Sequence, residues 1–435
     1  MDFSKDPISF SRSVHIAYIL KNNIWPATGQ WLLKVPSWHP PKDNSVLFQH
    51  QVSKKSQLRK ISKKRHFQDI IPKNIIRFDS ERYSTRDTVL LGSLDMVPLP
   101  LPRPPMSLKL YVSGSDRTRE LKVYDRINET DQGDHPSKEF IRKLLGFFWV
   151  KGPNDRSHLC LVHEPLGPSL AQIQDIIPQG RLPLGLLKPL LRQALIAVDF
   201  LHAKAGLIHT DLQVTNFLSS VSNKPEIFTQ FKVAEFIQPA PRKILSKDRI
   251  IYVTRRTPMS YGFPLLSDFG EARFNNEAGS PGEDIMPIQY KAPEIIMQTK
   301  WNYKVDVWNM GMVIWHLVTG RPMFEGRNAD GTFQDDRVHL AEMIALMGAP
   351  LVDFLQRSTK STSLLWDNDG TWKNAVPIPT ITLEKLSDGI IGEDKEGFLR
   401  FIRRMLCWRP EDRPTCEELV FDPWLMEGLG AGTET

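Results

Sequence analysis

Residues 305–318 are the most constraining segment of this 435-residue chain, because they are apolar on nearly every side of a helix. A surface helix shows an apolar stripe on one face only, whereas a helix that is apolar all round must be enclosed. No uninterrupted apolar run in the sequence is long enough to span a bilayer. The segment is therefore predicted to be a helix buried inside a large domain.

The other predicted elements fall into two groups. Strands are predicted at residues 106–112, 145–151 and 158–163. A helix is predicted at residues 117–127, and two later helices follow apolar stripes within residues 187–201 and 398–405. A small strand-rich part followed by a larger helical part predicts a two-lobed α+β enzyme.

Basic charge is concentrated at the start of the chain. Residues 1–75 carry 13 Lys/Arg and 4 Asp/Glu, a balance of +9 that leaves −3 for the other residues. The basic cluster between Lys54 and Arg65 fits a nuclear-import or nucleic-acid patch, or else a solvated arm. Scattered prolines and the lack of a sustained period predict an irregular arm, and direct binding of nucleic acid is not expected.

Cysteine usage and the first residues bear on the compartment. Cys160, Cys407 and Cys416 are widely spaced and show no metal-ligand pattern. They suit a reduced intracellular compartment, in which they would be small buried side chains. The first residues are acidic and mixed in type, so a signal peptide is not expected there. A location in the cytoplasm, the nucleus or both is therefore expected, with no membrane partner.

The strongest motif follows the helix of residues 187–201 and reads I-H-T-D-L-Q-V-T-N at residues 208–216. Asp211 suits a carboxylate that accepts or orients the proton of an attacking hydroxyl. Asn216 can turn its carbonyl oxygen toward Mg²⁺ in the same pocket. This motif alone is short enough for chance to supply it.

Four further motifs follow in order. They are S-D-F-G at residues 267–270, A-P-E at 292–294, D-V-W-N-M-G at 306–311 and R-P-E-D-R-P at 409–414. Asp268 suits chelation of Mg²⁺ on nucleotide phosphates, and Gly270 allows a free turn of the backbone. Coincidence in an unrelated globular chain would not supply the five motifs in this order.

With these motifs the chain resembles the eukaryotic protein kinases, and most of all the SR-protein kinases and their fungal members. H-T-D stands where most protein kinases have H-R-D, and the SR-protein kinases share this threonine. Residues 159–170, 206–218 and 328–348 look similar to this family throughout. The resemblance covers residues 106–425 and implies a bilobal α+β kinase fold. It further implies a serine/threonine kinase that uses ATP and Mg²⁺ and phosphorylates Arg/Ser-rich proteins. A monomer is expected.

The resemblance assigns catalytic roles within the H-T-D motif and beyond it. Asp211 would be the base, Gln213 and Asn216 would lie beside it, and Asn216 and Asp268 would hold Mg²⁺. Gln213 stands where the common kinase pattern has a lysine. A lysine would neutralise charge on the transferring phosphoryl group, whereas glutamine donates a hydrogen bond but no charge. A partial loss of stabilisation is therefore expected.

The nucleotide would be bound by residues upstream. By the resemblance, Lys109 contacts the α- and β-phosphates, and Glu120 is its helix partner. The hinge reads L-V-H-E-P-L-G, where the Glu164 carbonyl and the Leu166 amide would hydrogen-bond adenine. His163 would guard the rear of the pocket, with a satisfied core histidine as the plain alternative, and it is interpreted as non-catalytic.

Structural and regulatory roles follow from the same resemblance. Glu294 and Arg413 should form a buried ion pair, and Asp306 should hold the backbone of the catalytic loop. Thr210 cannot supply the positive charge that usually pairs with a phosphate on the activation loop. Besides Tyr290, residues 271–291 offer only Ser280 for phosphorylation. Activity without activation-loop phosphorylation is therefore predicted.

The predicted organisation is a two-lobed kinase with extensions. It comprises an arm at residues 1–75, an N-lobe at 76–166, a C-lobe at 167–425 with an insertion around 221–262, and a tail at 426–435. The N-lobe is degenerate before residue 106, because residues 91–94 offer one glycine where a glycine-rich loop is expected and residues 97–105 are proline-rich. A pseudokinase that acts as a binding or scaffold module is thus an alternative.

The sequence supports two further hypotheses, each with an alternative. Asp335, Asp336 and Glu342 could line an acidic groove for Arg-rich substrates, or they could form a solvated acidic turn. A small-molecule kinase of the aminoglycoside-phosphotransferase type also uses an H-x-D loop. That class lacks the A-P-E, D-x-W-x-x-G and late-arginine motifs, which disfavours it here.

Overall fold

The computed structural model describes most of the chain after residue 105. The described residues are 88–90, 106–111, 118–131, 133, 135–151, 155–221, 226–246, 249–252, 262–276, 279, 281–328, 331, 334–390 and 392–427. All of them belong to the compact unit His66–Thr435. The predicted arm at residues 1–75, the one-glycine segment 91–94 and the proline-rich stretch 97–105 lie outside the described residues.

A four-stranded antiparallel sheet with one helix forms the first part of the fold. Its strands are β1 Thr88–Leu90, β2 Ser107–Leu110, β3 Leu144–Lys151 and β4 Ser157–His163, in the spatial order β1-β2-β4-β3. Helix α1, Arg119–Glu129, follows β2 and buries Val123, Tyr124 and Ile127. The three predicted strands and the predicted helix are confirmed, and no end is displaced by more than two residues.

The two faces of this sheet bury different side chains. One face holds a small apolar cluster of Leu110, Phe148, Cys160 and Val162. The other face buries Tyr111, Leu159 and Leu161, against which Leu121 of α1 packs. Because side chains alternate along a strand, Lys109 lies on the same face as Tyr111 and therefore faces α1.

The second part of the fold is mainly helical. Its helices are α2 Leu170–Gln174, α3 Leu184–Asp199, α4 Glu226–Ile237, α5 Pro293–Ile296, α6 Lys304–Thr319, α7 Asp336–Met347, α8 Val352–Leu355, α9 Thr359–Leu365, α10 Leu383–Leu386, α11 Gly392–Met405, α12 Cys416–Val420 and α13 Pro423–Met426. Its strand pairs are β5 Leu207–Ile208 with β10 Arg273–Phe274, β6 Phe217–Ser219 with β9 Pro264–Leu266, and β7 Arg242–Ser246 with β8 Arg249–Tyr252. The α+β architecture predicted from the sequence is confirmed.

Helix α6 lies at the centre of this helical part. Every residue of α6 except His316 is buried, which confirms the prediction for residues 305–318. Helix α3 continues into a single π-helical stretch, Phe200–Ala205, and stops at Gly206 in a left-handed conformation, with φ 64°. Glycine adopts this conformation without steric cost, so it ends the helix and turns the chain into β5 and the H-T-D loop.

Part of the expected insertion at residues 221–262 has regular structure. Helix α4 and the β7–β8 hairpin form here, and α4 buries none of its side chains. Phe236 of α4 is 89% exposed. Helix α4 thus adds surface without adding to the core.

Across the described residues, no helix is both long enough and apolar enough to cross a bilayer.

Candidate active site

A three-residue bridge joins the small sheet, helix α1 and the S-D-F-G motif. The Lys109 ammonium lies 2.8 Å from Glu120 Oε2 and 2.9 Å from Asp268 Oδ1. The side chains of Lys109 and Glu120 are 6% and 2% exposed, whereas that of Asp268 is 41% exposed. Lys109 and Glu120 are thus enclosed, whereas the carboxylate of Asp268 is partly exposed.

Glu120 is held by more than the lysine. The Tyr111 hydroxyl donates to its Oε2 atom, and the Phe269 amide donates to its Oε1 atom at 3.3 Å. Burial raises the pKa of Glu120, and the attraction of Lys109 offsets only part of this effect. These contacts fix α1 against the S-D-F-G motif through one carboxylate.

Asp268 directly follows the strand β9 and Ser267, in a conformation that non-glycine residues rarely adopt. Its φ is 66°, and such strained backbone is common at functional sites. Burial alone would raise the pKa of Asp268, but the charge and hydrogen bond of Lys109 lower it below its ordinary value. Asp268 is therefore a carboxylate at neutral pH, suited to a cation.

The H-T-D loop brings three polar side chains together. The Asp211 carboxylate accepts hydrogen bonds from Gln213 Nε2 at 3.0 Å and from Asn216 Nδ2 at 3.3 Å. Asn216 Nδ2 also donates to the Asp211 carbonyl at 2.8 Å. Burial raises the pKa of Asp211, and the nearby charge of Asp268 raises it further. A carboxylate with a raised pKa is a better proton acceptor than an exposed one.

Asp306, in the first turn of α6, supports this loop from below. Its two carboxylate oxygens accept the backbone amides of His209 at 2.7 Å and Thr210 at 2.8 Å. The imidazole of His202 also contacts Oδ2, at 2.9 Å. Thr210 has a φ of 63°, so a buried charge holds the loop in a strained conformation. The predicted support of the catalytic loop by Asp306 is confirmed.

Four aromatic rings connect the two parts of the site. Their centroids lie 5.4 Å apart for His163 and Tyr124, 5.3 Å for Tyr124 and Phe269, and 5.2 Å for Phe269 and His209. Such distances are favourable for aromatic contacts. These tilted and edge-to-face contacts keep the S-D-F-G motif packed between α1 and the H-T-D loop.

The segment after β4 places Glu164 and Leu166 at the rear of the cleft. The Glu164 carbonyl accepts a hydrogen bond from Arg142 Nη2 at 3.2 Å. The Leu166 amide donates to no described residue, so this donor is available to a ligand. Burial lowers the pKa of His163 to about 3, and its Nδ1 atom contacts the Lys143 carbonyl at 3.1 Å. His163 is thus a neutral core imidazole, as interpreted from the sequence.

The activation segment is anchored at its end by the A-P-E motif. Arg413 Nη1 and Nη2 lie 2.6 Å and 2.7 Å from the two oxygens of Glu294, and both side chains are fully buried. The predicted ion pair is confirmed. Arg413 also donates to the carbonyls of Cys407 and Lys304, so the charges are enclosed by hydrogen bonds.

Contacts within the chain also hold the start of the activation segment. Thr210 Oγ1 donates to the Glu271 carbonyl at 2.7 Å. Arg273 Nε lies 2.7 Å from Glu283 Oε1. Ser280, the predicted phosphorylatable serine, lies outside the described residues. The described segment is therefore connected to the H-T-D loop without a phosphate.

The three carboxylates of the expected acidic groove have different surroundings. Asp335 caps α7 and pairs with Arg337 at 2.7 Å. Glu342 Oε2 accepts the amides of Glu325 and Gly326, each at 3.1 Å. Among the described residues only Asp336 of the three has no ion-pair or hydrogen-bond partner. The charge available to a substrate is thus smaller than the sequence indicated.

Asp336 borders a cavity of about 550 Å³ beside the A-P-E motif. Ile288, Lys291, Asn328, Gln334, Asp335, Asp336 and Arg337 line it. Lys291 is paired with Asp284 at 2.9 Å, and Arg337 is paired with Asp335. Both cations of the cavity are therefore neutralised within the chain.

A cation at the cleft would be held by few protein groups. No cluster of three His, Cys, Asp or Glu side chains suited to a metal occurs in the described part of the chain. Asp268 and Asn216 supply one carboxylate and one amide. This small donor set fits Mg²⁺, which usually keeps water and substrate phosphates among its ligands.

The structure joins six of the predicted site residues by direct contacts: Lys109, Glu120 and Asp268 in the bridge, and Asp211, Gln213 and Asn216 in the H-T-D loop. Glu164 and Leu166 follow β4 and contact none of these six.

The structure also adds three residues that the sequence did not reveal. The Tyr111 hydroxyl donates to Glu120, the Tyr124 ring contacts the Phe269 ring, and Arg142 contacts the hinge. Tyr124 lies one helical turn after Glu120 on α1, and this spacing was the one available signal. The other two contacts join residues with no shared local pattern.

The chain is similar to known protein kinases in sequence. The family description "Protein kinase domain" matches residues 114–425. A serine/threonine protein kinase of Aspergillus fumigatus is 37% identical over 326 residues, which cover 74% of this chain and 78% of that protein. The serine/threonine-protein kinase SRPK of Physarum polycephalum is 27% identical over 346 residues, which cover 74% of this chain and 80% of that protein.

The fold is also similar to a solved structure of a kinase domain. The TM-score is 0.54 at 26% identity, and the match covers 74% of this chain and 87% of that chain. The family match extends over the helix α1, strands β3 and β4, and the helical part with its H-T-D loop.

Proposed function

Because this chain belongs to the protein kinase family and is a serine/threonine protein kinase similar to the SR-protein kinases, we propose that it transfers the γ-phosphoryl group of ATP to serine hydroxyls in Arg/Ser-rich proteins. The bridge from Lys109 to Glu120 and Asp268 is the observation that carries this proposal. A kinase needs both the strand lysine–helix glutamate pair and the S-D-F-G aspartate in place.

The nucleotide would occupy the cleft between these groups. Lys109 contacts its α- and β-phosphates, and the Glu164 carbonyl and Leu166 amide bind the adenine edge. Asp268 and Asn216 hold Mg²⁺, which neutralises charge on the phosphates when bound. The exposure of Asp268 and the available Leu166 donor support these roles.

Asp211 would act on the substrate hydroxyl. Its carboxylate takes the proton while the serine oxygen bonds to the γ-phosphorus and the bond to the bridging oxygen of ADP breaks. Asn216 and Gln213 orient the carboxylate through their amide groups. Because Gln213 is neutral, it would offer the transferring phosphoryl group a hydrogen bond but no positive charge.

The pseudokinase alternative draws no support from the described geometry. Asp211, Asn216 and Asp268 are all present with their supporting contacts. The residues of the expected glycine-rich loop lie outside the described part of the chain. A phosphate-transfer assay therefore decides between the two functions.

We further propose an N-lobe at residues 76–166 and a C-lobe at 167–425, with the arm and tail outside them. The small sheet ends at His163, and the family match ends at residue 425. We also propose a monomer that acts in the cytoplasm, the nucleus or both. The basic cluster between Lys54 and Arg65 supports nuclear entry, since such clusters serve as import signals.

Asp336 is proposed to select arginine in the substrate. It borders the cavity beside the A-P-E motif, and its carboxylate can pair with a guanidinium. We expect Asp336→Asn to raise KM for an Arg-Ser-repeat peptide about 5-fold, because hydrogen bonds to charged groups contribute about 1.5–3 kcal/mol at most sites and less when exposed. Steady-state transfer from Mg·ATP measures this effect.

The Asp388→Asn variant is the matched control for the peptide assay. It also removes one negative charge from an exposed aspartate, at a position distant in sequence from Asp336. A peptide of Lys-Ser repeats tests the planar fork of arginine. Equal KM values for both peptides in wild-type protein would rule out arginine selection.

Activity is expected to be independent of activation-loop phosphorylation. Thr210 and the Arg273–Glu283 pair already hold the described part of the segment. Protein treated with a phosphatase should therefore keep the kcat of untreated protein. A matched Glu283→Gln variant should lose activity under both conditions, because it removes the internal anion. Loss of turnover in phosphatase-treated wild-type protein would contradict the prediction.

A further inference from the structure

Arg142 contacts both the segment before the S-D-F-G motif and the hinge. Its backbone amide donates to the Leu266 carbonyl at 2.9 Å, and Ile141 pairs with Leu266 in an isolated bridge. Leu266 ends strand β9, two residues before Asp268. The main chain of Arg142 is thereby fixed to the segment that carries the metal-binding carboxylate.

The side chain of Arg142 extends to the other end of the cleft. Its Nη2 atom donates to the Glu164 carbonyl at 3.2 Å, and its Nε atom is enclosed with no hydrogen-bond partner among the described residues. Burial lowers the pKa of Arg142. Arg142 as a whole is half-buried, and the partner of its side chain among the described residues is the hinge carbonyl.

Arg142 also adds positive charge near the cleft. Lys109 contacts both Glu120 and Asp268, so one cation is shared between two carboxylates. The guanidinium of Arg142 is a second cation close enough to interact with these two carboxylates and with Glu164.

We propose that Arg142 is a positioning residue that orients the Glu164 carbonyl toward the 6-amino group of adenine, an inference that rests on the proposed function. A carbonyl oxygen has two lone pairs, so it can accept from the guanidinium and from the nucleotide together. The hydrogen bond from Arg142 Nη2 holds the carbonyl before the nucleotide arrives. Pre-orientation of this kind lowers the entropy lost on binding.

The test compares nucleotides with and without the 6-amino group. Dissociation constants of ATP and of purine riboside triphosphate are measured on wild-type protein and on Arg142→Gln. We expect the ATP constant to rise about tenfold in the variant, which corresponds to about 1.4 kcal/mol, and the analogue constant to stay close to the wild-type value. The ratio of the analogue's dissociation constant to that of ATP therefore falls about tenfold.

Two further variants separate this role from others. Lys143→Gln removes the adjacent exposed charge and should leave both constants unchanged. Arg142→Lys keeps the charge but lacks the fork, and it should lower the ratio while keeping a melting temperature near that of the wild type. Arg142→Lys serves as the main variant if Arg142→Gln does not fold.

If the dissociation constants of both nucleotides rise by the same factor in the Arg142 variants, the inference is overturned. Such a result would indicate that Arg142 acts only through its charge or its packing. Unchanged constants for both nucleotides would overturn it as well. If wild-type protein binds ATP but transfers no phosphate, while the Arg142 variants show the expected change in nucleotide preference, the proposed function would be overturned and this inference supported. Protein that binds neither nucleotide would overturn both.

Discussion

Replacement of Asp211 by asparagine is expected to lower the rate of phosphate transfer about 10²–10⁴-fold, the usual contribution of a general base. Asparagine keeps the shape of the side chain but cannot take the proton of the serine hydroxyl. The dissociation constant of Mg·ATP should change little, because Asp211 is not among the groups proposed to hold the nucleotide. Single-turnover transfer to an Arg-Ser-repeat peptide measures the chemical step.

Asp388→Asn is the control for this experiment too, since Asp388 is exposed and remote in sequence from the motifs. It should retain the wild-type rate. A rate for Asp211→Asn within a few-fold of the wild type would remove Asp211 from the mechanism. A wild-type protein that is folded and transfers no phosphate would favour the pseudokinase alternative.

Replacement of Arg413 by methionine is expected to lower the free energy of unfolding by about 3–5 kcal/mol, because the buried carboxylate of Glu294 loses its compensating charge. Both side chains are 0% exposed and share two short hydrogen bonds. Glu294→Gln should destabilise the protein by a similar mechanism. Urea unfolding followed by tryptophan fluorescence measures the change.

An exposed ion pair provides the matched comparison. Arg403 pairs with Glu384, and the two side chains are 51% and 53% exposed. Arg403→Met should leave the unfolding midpoint close to the wild-type value, since such pairs are screened by solvent. The double variant of Arg413 and Glu294 should be less destabilised than the two single changes added together. An Arg413→Met midpoint equal to the wild type would show that the pair does not anchor the fold.

Much of the site could be predicted because its chemistry restricts the residue types and their order. Asp211, Asn216 and Asp268 lie in short motifs, and the structure brings them to one cleft. Helix α6 could be predicted because a helix that is apolar all round needs a domain around it. The role of Asp306 could be assigned because the D-V-W-N-M-G motif resembles the corresponding motif of protein kinases.

The remaining contacts depend on how distant segments pack. Arg142 and Glu164 are joined only because the segment before β3 runs beside the hinge. Tyr111 reaches Glu120 because β2 faces α1. Neither contact leaves a periodic or local signal, so a single sequence could not reveal it.

The acidic groove illustrates a related limit. The residue types at Asp335, Asp336 and Glu342 indicate negative charge, but they do not indicate which carboxylates the chain itself uses. Asp335 caps α7 and pairs with Arg337, and Glu342 binds loop amides. Only the folded structure reveals that, of these three carboxylates, Asp336 is the one available to a substrate.

Helix α6 contributes both to the stability of the fold and to the position of the catalytic loop. Asp306 in its first turn holds the H-T-D loop, and the residues after it fill the core. A missense change in the buried part of the helix would displace the loop while every catalytic side chain stays intact. In a genetic screen for inactive alleles, substitutions in α6 would therefore be recovered alongside those in the motifs, although their primary defect is in packing.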